Sequence, residues 1–188
     1  MTRNSLYLLL TVFAGLLLAT TSFGQKRDHL TAEEIELVRD VQHVEDRMEV
    51  FVHAIERRIY AITGIETLSA DDRKRIEKDV KHWGELPKGT KAQLYDDIAR
   101  ILDEAVDKFE DVYDRKADDE YLPYAFYTLY DYCVILRPKL AAYAEKTEDK
   151  KELSALERAD GNCAEVIDAA SKIDRPTQKK KKRKPPES

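Results

Sequence analysis

The sequence predicts an all-α protein, namely an antiparallel four- or five-helix bundle that follows a cleaved signal peptide and ends in a disordered basic tail. Apolar residues recur at helical spacing in five long segments joined by short links. Only six glycines and six prolines occur in 188 residues, too few turn-forming residues for an all-β domain. With 43% apolar and 37% charged residues, the composition is typical of one soluble helical domain, expected over residues 25–174.

The first predicted helix extends from Thr31 to Gly64. Thr31 and Glu34 have the spacing of a capping box, and Gly64 is a natural C-terminal stop. An apolar repeat of seven residues runs through the segment: Val41, Met48, Ile55 and Ile62, with Leu37, Val44 and Phe51 as a companion row. A straight helix of this length would measure about 48 Å at about 1.5 Å per residue.

A shorter second helix is predicted over about residues 70–83. Ser69 is its cap, and Gly84 ends it. Its buried side is expected to carry Ile76, Val80 and Trp83.

The third predicted helix begins with a capping box of Thr90 and Gln93 and continues to about Lys116. Its buried row is expected to contain Leu94, Ile98, Ile101, Ala105, Phe109 and Val112. The opposite side carries an acidic stripe: Asp96, Asp103, Asp107, Glu110, Asp111 and Asp114. Like charges four residues apart repel each other on a helix. A solvated surface accounts for such a stripe; the functional alternative is binding of a cation or of a basic segment, including the chain's own Lys179–Lys184.

The fourth predicted helix, from Tyr121 to about Lys146 with a kink at Pro138, is rich in tyrosine. One side is an ordinary core row: Leu122, Phe126, Leu129, Cys133, Leu136 and Leu140. The opposite side, here named the tyrosine face, carries Tyr124, Tyr127, Asp131, Val134 and Ile135. Two interpretations remain open. The helix lies in the middle of a five-helix bundle, or the tyrosine face is exposed and binds a partner protein, a second copy of the chain or a sugar polymer.

The fifth predicted helix begins at Thr147 and reaches Ile173, with either a break or a bend near residues 160–162. Cys133 and Cys163 lie at similar height in the hairpin formed by the last two helices. In an oxidising compartment a disulfide between them is expected, worth about 3 to 4 kcal/mol for a loop of this size. Two packed thiols are the alternative.

The N-terminus predicts export. Arg3 precedes an apolar run from Leu6 to Leu18, and small residues then allow cleavage before Gln25, so residues 1–24 are interpreted as a signal peptide. An uncleaved membrane anchor is the alternative, because the apolar stretch approaches the length of a transmembrane helix. The asparagines lack the sequence context for N-glycosylation, which favours a periplasmic or secreted bacterial protein.

The C-terminal residues 175–188 have a net charge opposite in sign to that of residues 25–174. This tail has net charge +6, whereas residues 25–174 contain 24 basic and 36 acidic residues, a net charge of −12. The basic run consists of Lys179, Lys180, Lys181, Lys182, Arg183 and Lys184. Such a run binds polyanions in general, and the tail lacks the aromatic residues that would stack on bases, so specific nucleic-acid recognition is not expected.

Motifs for catalysis or metal binding are weak. Only Asp40 with His43 and Asp79 with His82 approach the Glu-x-x-His spacing of di-iron bundles, and His43, His53 and His82 are expected to face solvent. No cofactor or metal is therefore expected, and no nucleophile motif or glycine-rich phosphate loop occurs in the sequence. The favoured function is that of a noncatalytic interaction or structural protein of the bacterial envelope. Its expected partner is a protein, an envelope polymer, an anionic surface or a second copy of the chain. A carrier of a small molecule or cation is the alternative, and an enzyme is less favoured.

Overall fold

In this computed structural model, residues 27–177 are described; the predicted signal peptide and the basic run lie outside that range. The described chain forms six α-helices and no strand. The helices are α1 (Ala32–Asp40), α2 (Val44–Thr63), α3 (Ala70–Trp83), α4 (Lys91–Arg115), α5 (Leu122–Ala144) and α6 (Lys150–Ala169), with short 3₁₀ turns at Ile65–Thr67 and Ala170–Lys172. The predicted all-α class is confirmed. Within residues 27–177, no helix combines the length and the apolar character needed to span a bilayer.

The prediction of one long first helix is wrong, because the chain breaks between α1 and α2. Val41 and His43 both have extended backbone conformations, and the α2 N-terminus lacks a side-chain cap. The break turns α1 back against α2, which brings Glu34 to two arginines of α2. This buried ion cluster, a tertiary interaction, overrides a heptad pattern that continues through the break.

The local helix signals are largely confirmed. Both predicted capping boxes form, at Thr31 in α1 and at Thr90 in α4, and Ser69 caps α3. Gly64 and Gly84 end their helices with positive φ angles of 85° and 67°, which glycine adopts without steric cost.

Helices α5 and α6 differ in detail from their predicted bounds. Asp149, and not Thr147, caps α6, since its carboxylate accepts hydrogen bonds from the backbone amides of Lys151 and Glu152. Helix α6 continues through residues 160–162 without a break, and α5 continues through Pro138.

Four helices enclose the core, in the order α2, α4, α6 and α5 around the bundle. Helices α2 and α4 run antiparallel. Arg58, late in α2, lies near Asp97, early in α4. Met48, early in α2, lines the same cavity as Phe109, late in α4. Arg137 of α5 pairs with Asp160 of α6, and Tyr127 meets the residues that follow α6, so these helices are also antiparallel.

The other two adjacent pairs, α2 with α5 and α4 with α6, are parallel, which the predicted antiparallel bundle did not include. Thr63 at the end of α2 contacts Tyr143 at the end of α5. Along α4 and α6, Asp96 pairs with Arg158, and the later Asp103 contacts the later Asn162. Parallel neighbours arise because α4 and α5, though consecutive in the chain, lie mainly across the core from each other. The shorter α1 and α3 pack outside this group of four, with α1 in contact with both α2 and α3.

The predicted core row of the tyrosine-rich helix is confirmed, since all six of its members are buried. Val80, which was expected to be buried in α3, is 45% exposed, so α3 contributes mainly Ile76 and part of Trp83. The main core therefore belongs to α2, α4, α5 and α6.

Candidate ligand cavity and the tyrosine face

An apolar cavity of about 300 Å³ lies at one end of the bundle, between α4, α5 and α6. Its lining residues come from four helices and the turn after α6: Met48, Val106, Phe109, Glu110, Tyr113, Ala125, Phe126, Leu129, Glu165, Val166, Ala169, Lys172 and Ile173. A volume of this size lies at the lower end of the range for small-molecule sites. The sequence pattern does not predict this cavity.

The inner wall of the cavity consists of buried, closely packed side chains. Met48 and Ala125 are completely excluded from solvent, and Leu129 is nearly so. The rings of Phe109 and Phe126 pack in a tilted arrangement with their centroids 5.7 Å apart. An apolar ligand would therefore contact aromatic and aliphatic side chains already fixed by the fold.

The outer residues of the cavity are polar. Glu110, Glu165 and Lys172 are exposed, and the Tyr113 side chain is 49% exposed. Within the described part of the chain, neither the two glutamates nor Lys172 has an ion-pair partner. The opening therefore combines two carboxylates and one ammonium group beside an apolar interior.

Residues 170–175, here named the C-terminal segment, fold back on α5 and complete the cavity. The Tyr127 hydroxyl donates a hydrogen bond to the Ile173 carbonyl, 2.9 Å away, and the Ile173 side chain lines the cavity. The Arg175 guanidinium lies 4.6 Å from the ring centroid of Tyr127 and 5.7 Å from that of Tyr130. It also pairs with the Asp131 carboxylate. Arg175 thus contacts the folded body, although it was predicted to be part of the disordered tail.

The tyrosine face is neither fully internal nor fully open. Tyr124 and Tyr127 are half-buried, whereas Val134 and Ile135 are 46% and 55% exposed. Helix α5 has α2 and α6 as its main neighbours, so the interpretation of α5 as the middle of a five-helix bundle is wrong. The C-terminal segment covers the part of the face around Tyr127 and Asp131. Val134 and Ile135, one to two turns further toward the end of α5, remain exposed.

The acidic stripe divides into two parts. Asp96 forms an ion pair of 2.9 Å with Arg158, and Asp103 accepts a hydrogen bond of 2.5 Å from the Asn162 side chain, so both connect α4 to α6. The remaining four residues are exposed: Asp107, Glu110, Asp111 and Asp114. Only this second part is available to attract a cation, and its member Glu110 lies at the cavity.

The predicted disulfide is absent. Cys133 and Cys163 are free thiols, both excluded from solvent. Both cysteines are buried in the neighbouring helices α5 and α6. The adjacent Cys163 thiol and burial raise the pKa of the Cys133 thiol, which disfavours the reactive thiolate.

A buried ion cluster joins α1, α2 and α3. Glu34 accepts hydrogen bonds of 3.0 Å from Arg57 and 2.6 Å from Arg58. Arg57 also donates to the carbonyls of Trp83 and Glu85, at 2.8 and 2.6 Å. The sequence pattern does not predict this cluster, because neighbouring arginines in an amphipathic helix ordinarily lie at the surface. The two arginines bond to a buried carboxylate and to backbone carbonyls of other segments, which indicates a structural role.

The histidines take part in surface and interhelical contacts. His53 was predicted to face solvent, but its side chain is 18% exposed, lies 2.9 Å from Asp79 and packs on the Trp83 ring at 4.2 Å. His43 and His82 are exposed, as predicted. Within residues 27–177, no group of three or more His, Cys, Asp and Glu side chains is arranged to hold a metal ion.

Comparison with known proteins adds no assignment, since no family model, curated protein or solved structure matches the chain.

Proposed function

We propose that the protein is an exported, noncatalytic interaction protein whose helical body is tethered to an anionic surface by the basic run. The observation that carries this proposal is the position of Arg175, which is held against Tyr127 and Asp131 on the side of α5. The chain therefore leaves the body at a fixed point. The basic run begins four residues later in the sequence, and four residues of fully extended chain span at most about 14 Å.

Charge supports the same proposal. Residues 25–174 carry a net charge of −12, so an anionic surface repels the body and attracts the basic run. Attachment would then turn the α5 side of the body toward the surface. The exposed Val134 and Ile135 lie on this helix, where they are available for an additional apolar contact.

A cosedimentation experiment tests the tether. The purified full chain is mixed with vesicles that contain phosphatidylglycerol, or with vesicles of phosphatidylcholine alone, at increasing salt. Binding only to the anionic vesicles, weakened by salt, is expected. Replacement of Lys179, Lys180 and Lys181 with glutamine should release the protein. The control replaces the exposed Lys74, Lys78 and Lys81 of α3 with glutamine, an equal change in charge. Equal loss in both variants would contradict a role specific to the tail.

Export is tested separately. Expression of the full chain in a bacterial host should yield a mature protein outside the cytoplasm that begins at Gln25, which the intact mass reports. A protein that keeps residues 1–24 and remains in the cytoplasm would contradict the proposal.

A second candidate function is small-molecule binding, and the cavity between α4, α5 and α6 favours it. The cavity connects the two features that suggested a carrier, since Phe126 and Leu129 belong to the tyrosine-rich helix and Glu110 to the acidic stripe. A native mass spectrum of the protein purified from its producing cell should then contain a reproducible small adduct. Loss of that adduct on substitution of a cavity residue would assign it to this site.

A further inference from the structure

We infer that the cavity binds a compact apolar ligand that carries a cationic amine, an inference that rests on the second candidate function and names its ligand class. Three properties of the site lead to this class: the volume, the apolar interior, and the excess of carboxylates at the opening.

The volume and lining determine the apolar part of the ligand. An apolar cavity of about 150 Å³ is large enough for benzene, so about 300 Å³ accommodates one aromatic ring with a short chain. The rings of Phe109 and Phe126 offer faces and edges for such a ring, and Met48 provides a polarizable thioether at the inner end. Among the described residues that line the cavity, the charged ones are exposed rather than buried, which disfavours a ligand that is polar throughout.

The charges at the opening determine the polar part. Glu110 and Glu165 line the cavity with exposed carboxylates, while Lys172 supplies one opposing ammonium group. The net charge of these three groups is negative. Asp107, Asp111 and Asp114 are also exposed along α4. An amine at the end of the ligand can pair with Glu110 or Glu165, whereas a carboxylate at this opening can pair with Lys172 alone.

Isothermal titration calorimetry with three matched probes tests the inference. Phenethylamine, phenethyl alcohol and phenylacetate share a phenyl group and differ in the charge at the chain end. Each is titrated into the purified full chain up to millimolar concentrations. The amine is expected to bind most tightly and the carboxylate most weakly, with the difference reduced by salt.

Two substitutions locate the binding. Ala169→Leu adds bulk to the half-buried cavity lining and should abolish binding of all three probes. Ala164→Leu, at a half-buried position of the same helix outside the cavity, is the matched control and should leave binding unchanged. Circular dichroism verifies that both variants are folded. Equal binding by both variants would show that the probes bind elsewhere and would overturn the inference.

Two further substitutions test the charge preference in opposite directions. Glu165→Gln should weaken phenethylamine binding about two- to fivefold, and Lys172→Gln should strengthen it by a similar factor, as expected for partly exposed charges. Glu157→Gln, an exposed position of α6 away from the cavity, is the control.

The outcomes separate the inference from the function on which it rests. If all three probes bind equally and Ala169→Leu abolishes their binding, the cavity is a small-molecule site but the amine preference is wrong. If no probe binds up to millimolar concentrations, both the ligand class and the small-molecule function are wrong. The amine inference stands if phenethylamine is preferred and the two charge substitutions act in opposite directions.

Discussion

Glu34 of α1 and Arg58 of α2 form an ion pair of 2.6 Å in which both side chains are almost completely removed from solvent. Arg57 approaches the same carboxylate oxygen at 3.0 Å. Two guanidinium groups thus share one carboxylate, and Asp97 lies 3.9 Å from Arg58 as a further anionic neighbour. This arrangement fixes α1 against α2 and explains why the chain reverses at residues 41–43.

The first prediction concerns the charge of Glu34. Glu34→Gln should destabilise the protein by about 3 to 5 kcal/mol, because two buried arginines lose their shared counterion. Glutamine preserves the capping box with Thr31, so the loss reports the charge rather than the helix start. The free energy of unfolding in urea is the measurement. Glu36→Gln removes only an exposed pair with Arg39 and should cost less than about 1 kcal/mol. Equal costs for the two variants would contradict the structural role of the cluster.

The buried cluster also shows why sequence reasoning predicted the helix ends better than the first helix. Caps such as Thr31 with Glu34 depend on residues three apart, so the local sequence contains the whole interaction. The break at residues 41–43 has no glycine or proline, and it depends on a contact between Glu34 and an arginine 24 residues away. Only the folded arrangement supplies that partner.

The candidate cavity was unpredictable for the same reason. Its wall combines Met48 of α2, Phe109 of α4, Leu129 of α5 and Val166 of α6, each of which appears in the sequence as an ordinary core residue. Their common empty volume depends on how the four helices pack. The sequence did identify the tyrosine-rich helix and Glu110 as unusual, yet it gave no indication that Arg175 would cover Tyr127.

The second prediction concerns the C-terminal segment. Arg175→Ala removes a cation–π contact with Tyr127 and a partly exposed pair with Asp131, and should cost about 0.5 to 1 kcal/mol. Hydrogen exchange of backbone amides in residues 170–175 should accelerate, because the segment is then held mainly by the Tyr127 hydroxyl. Arg115→Ala is the control, since within residues 27–177 its side chain donates to a backbone carbonyl of its own helix and to no other group. Unchanged exchange in Arg175→Ala would show that the segment does not depend on this contact.

The third prediction distinguishes the free thiols from the disulfide expected from sequence. In the folded protein, Cys133 and Cys163 should resist iodoacetamide, because both are buried and the pKa of Cys133 is raised. In denaturant without reductant, both should be labelled, which mass spectrometry counts directly. Labelling that requires a reductant would contradict the free thiols of the structure and restore the disulfide.

The fourth prediction concerns acid stability and two carboxyl groups with opposite pKa shifts. The hydrogen bond with His29 lowers the pKa of Glu104 below its ordinary value of 4.5. Ionised Glu104 therefore stabilises the fold above that value, and this contribution is lost as the pH falls through the lowered pKa. Burial raises the pKa of Asp97 above its ordinary value of 3.8, despite the pair with Arg27. The folded state consequently binds a proton at Asp97 more readily than the unfolded state does. Protonation of Asp97 therefore stabilises the fold at low pH, and this stabilisation is lost as the pH rises through the raised pKa.

The two groups thus predict opposite changes in the slope of stability with pH. Urea unfolding at a series of pH values below 4.5 should show a smaller loss of stability on acidification in Glu104→Gln than in the wild type. Asp97→Asn should show a steeper loss, because the wild-type gain from protonating Asp97 is missing. Glu157→Gln, at an exposed position of α6, is the control variant. Slopes that change in the same direction for Glu104→Gln and Asp97→Asn would contradict the assignment of opposite signs to these two carboxyl groups.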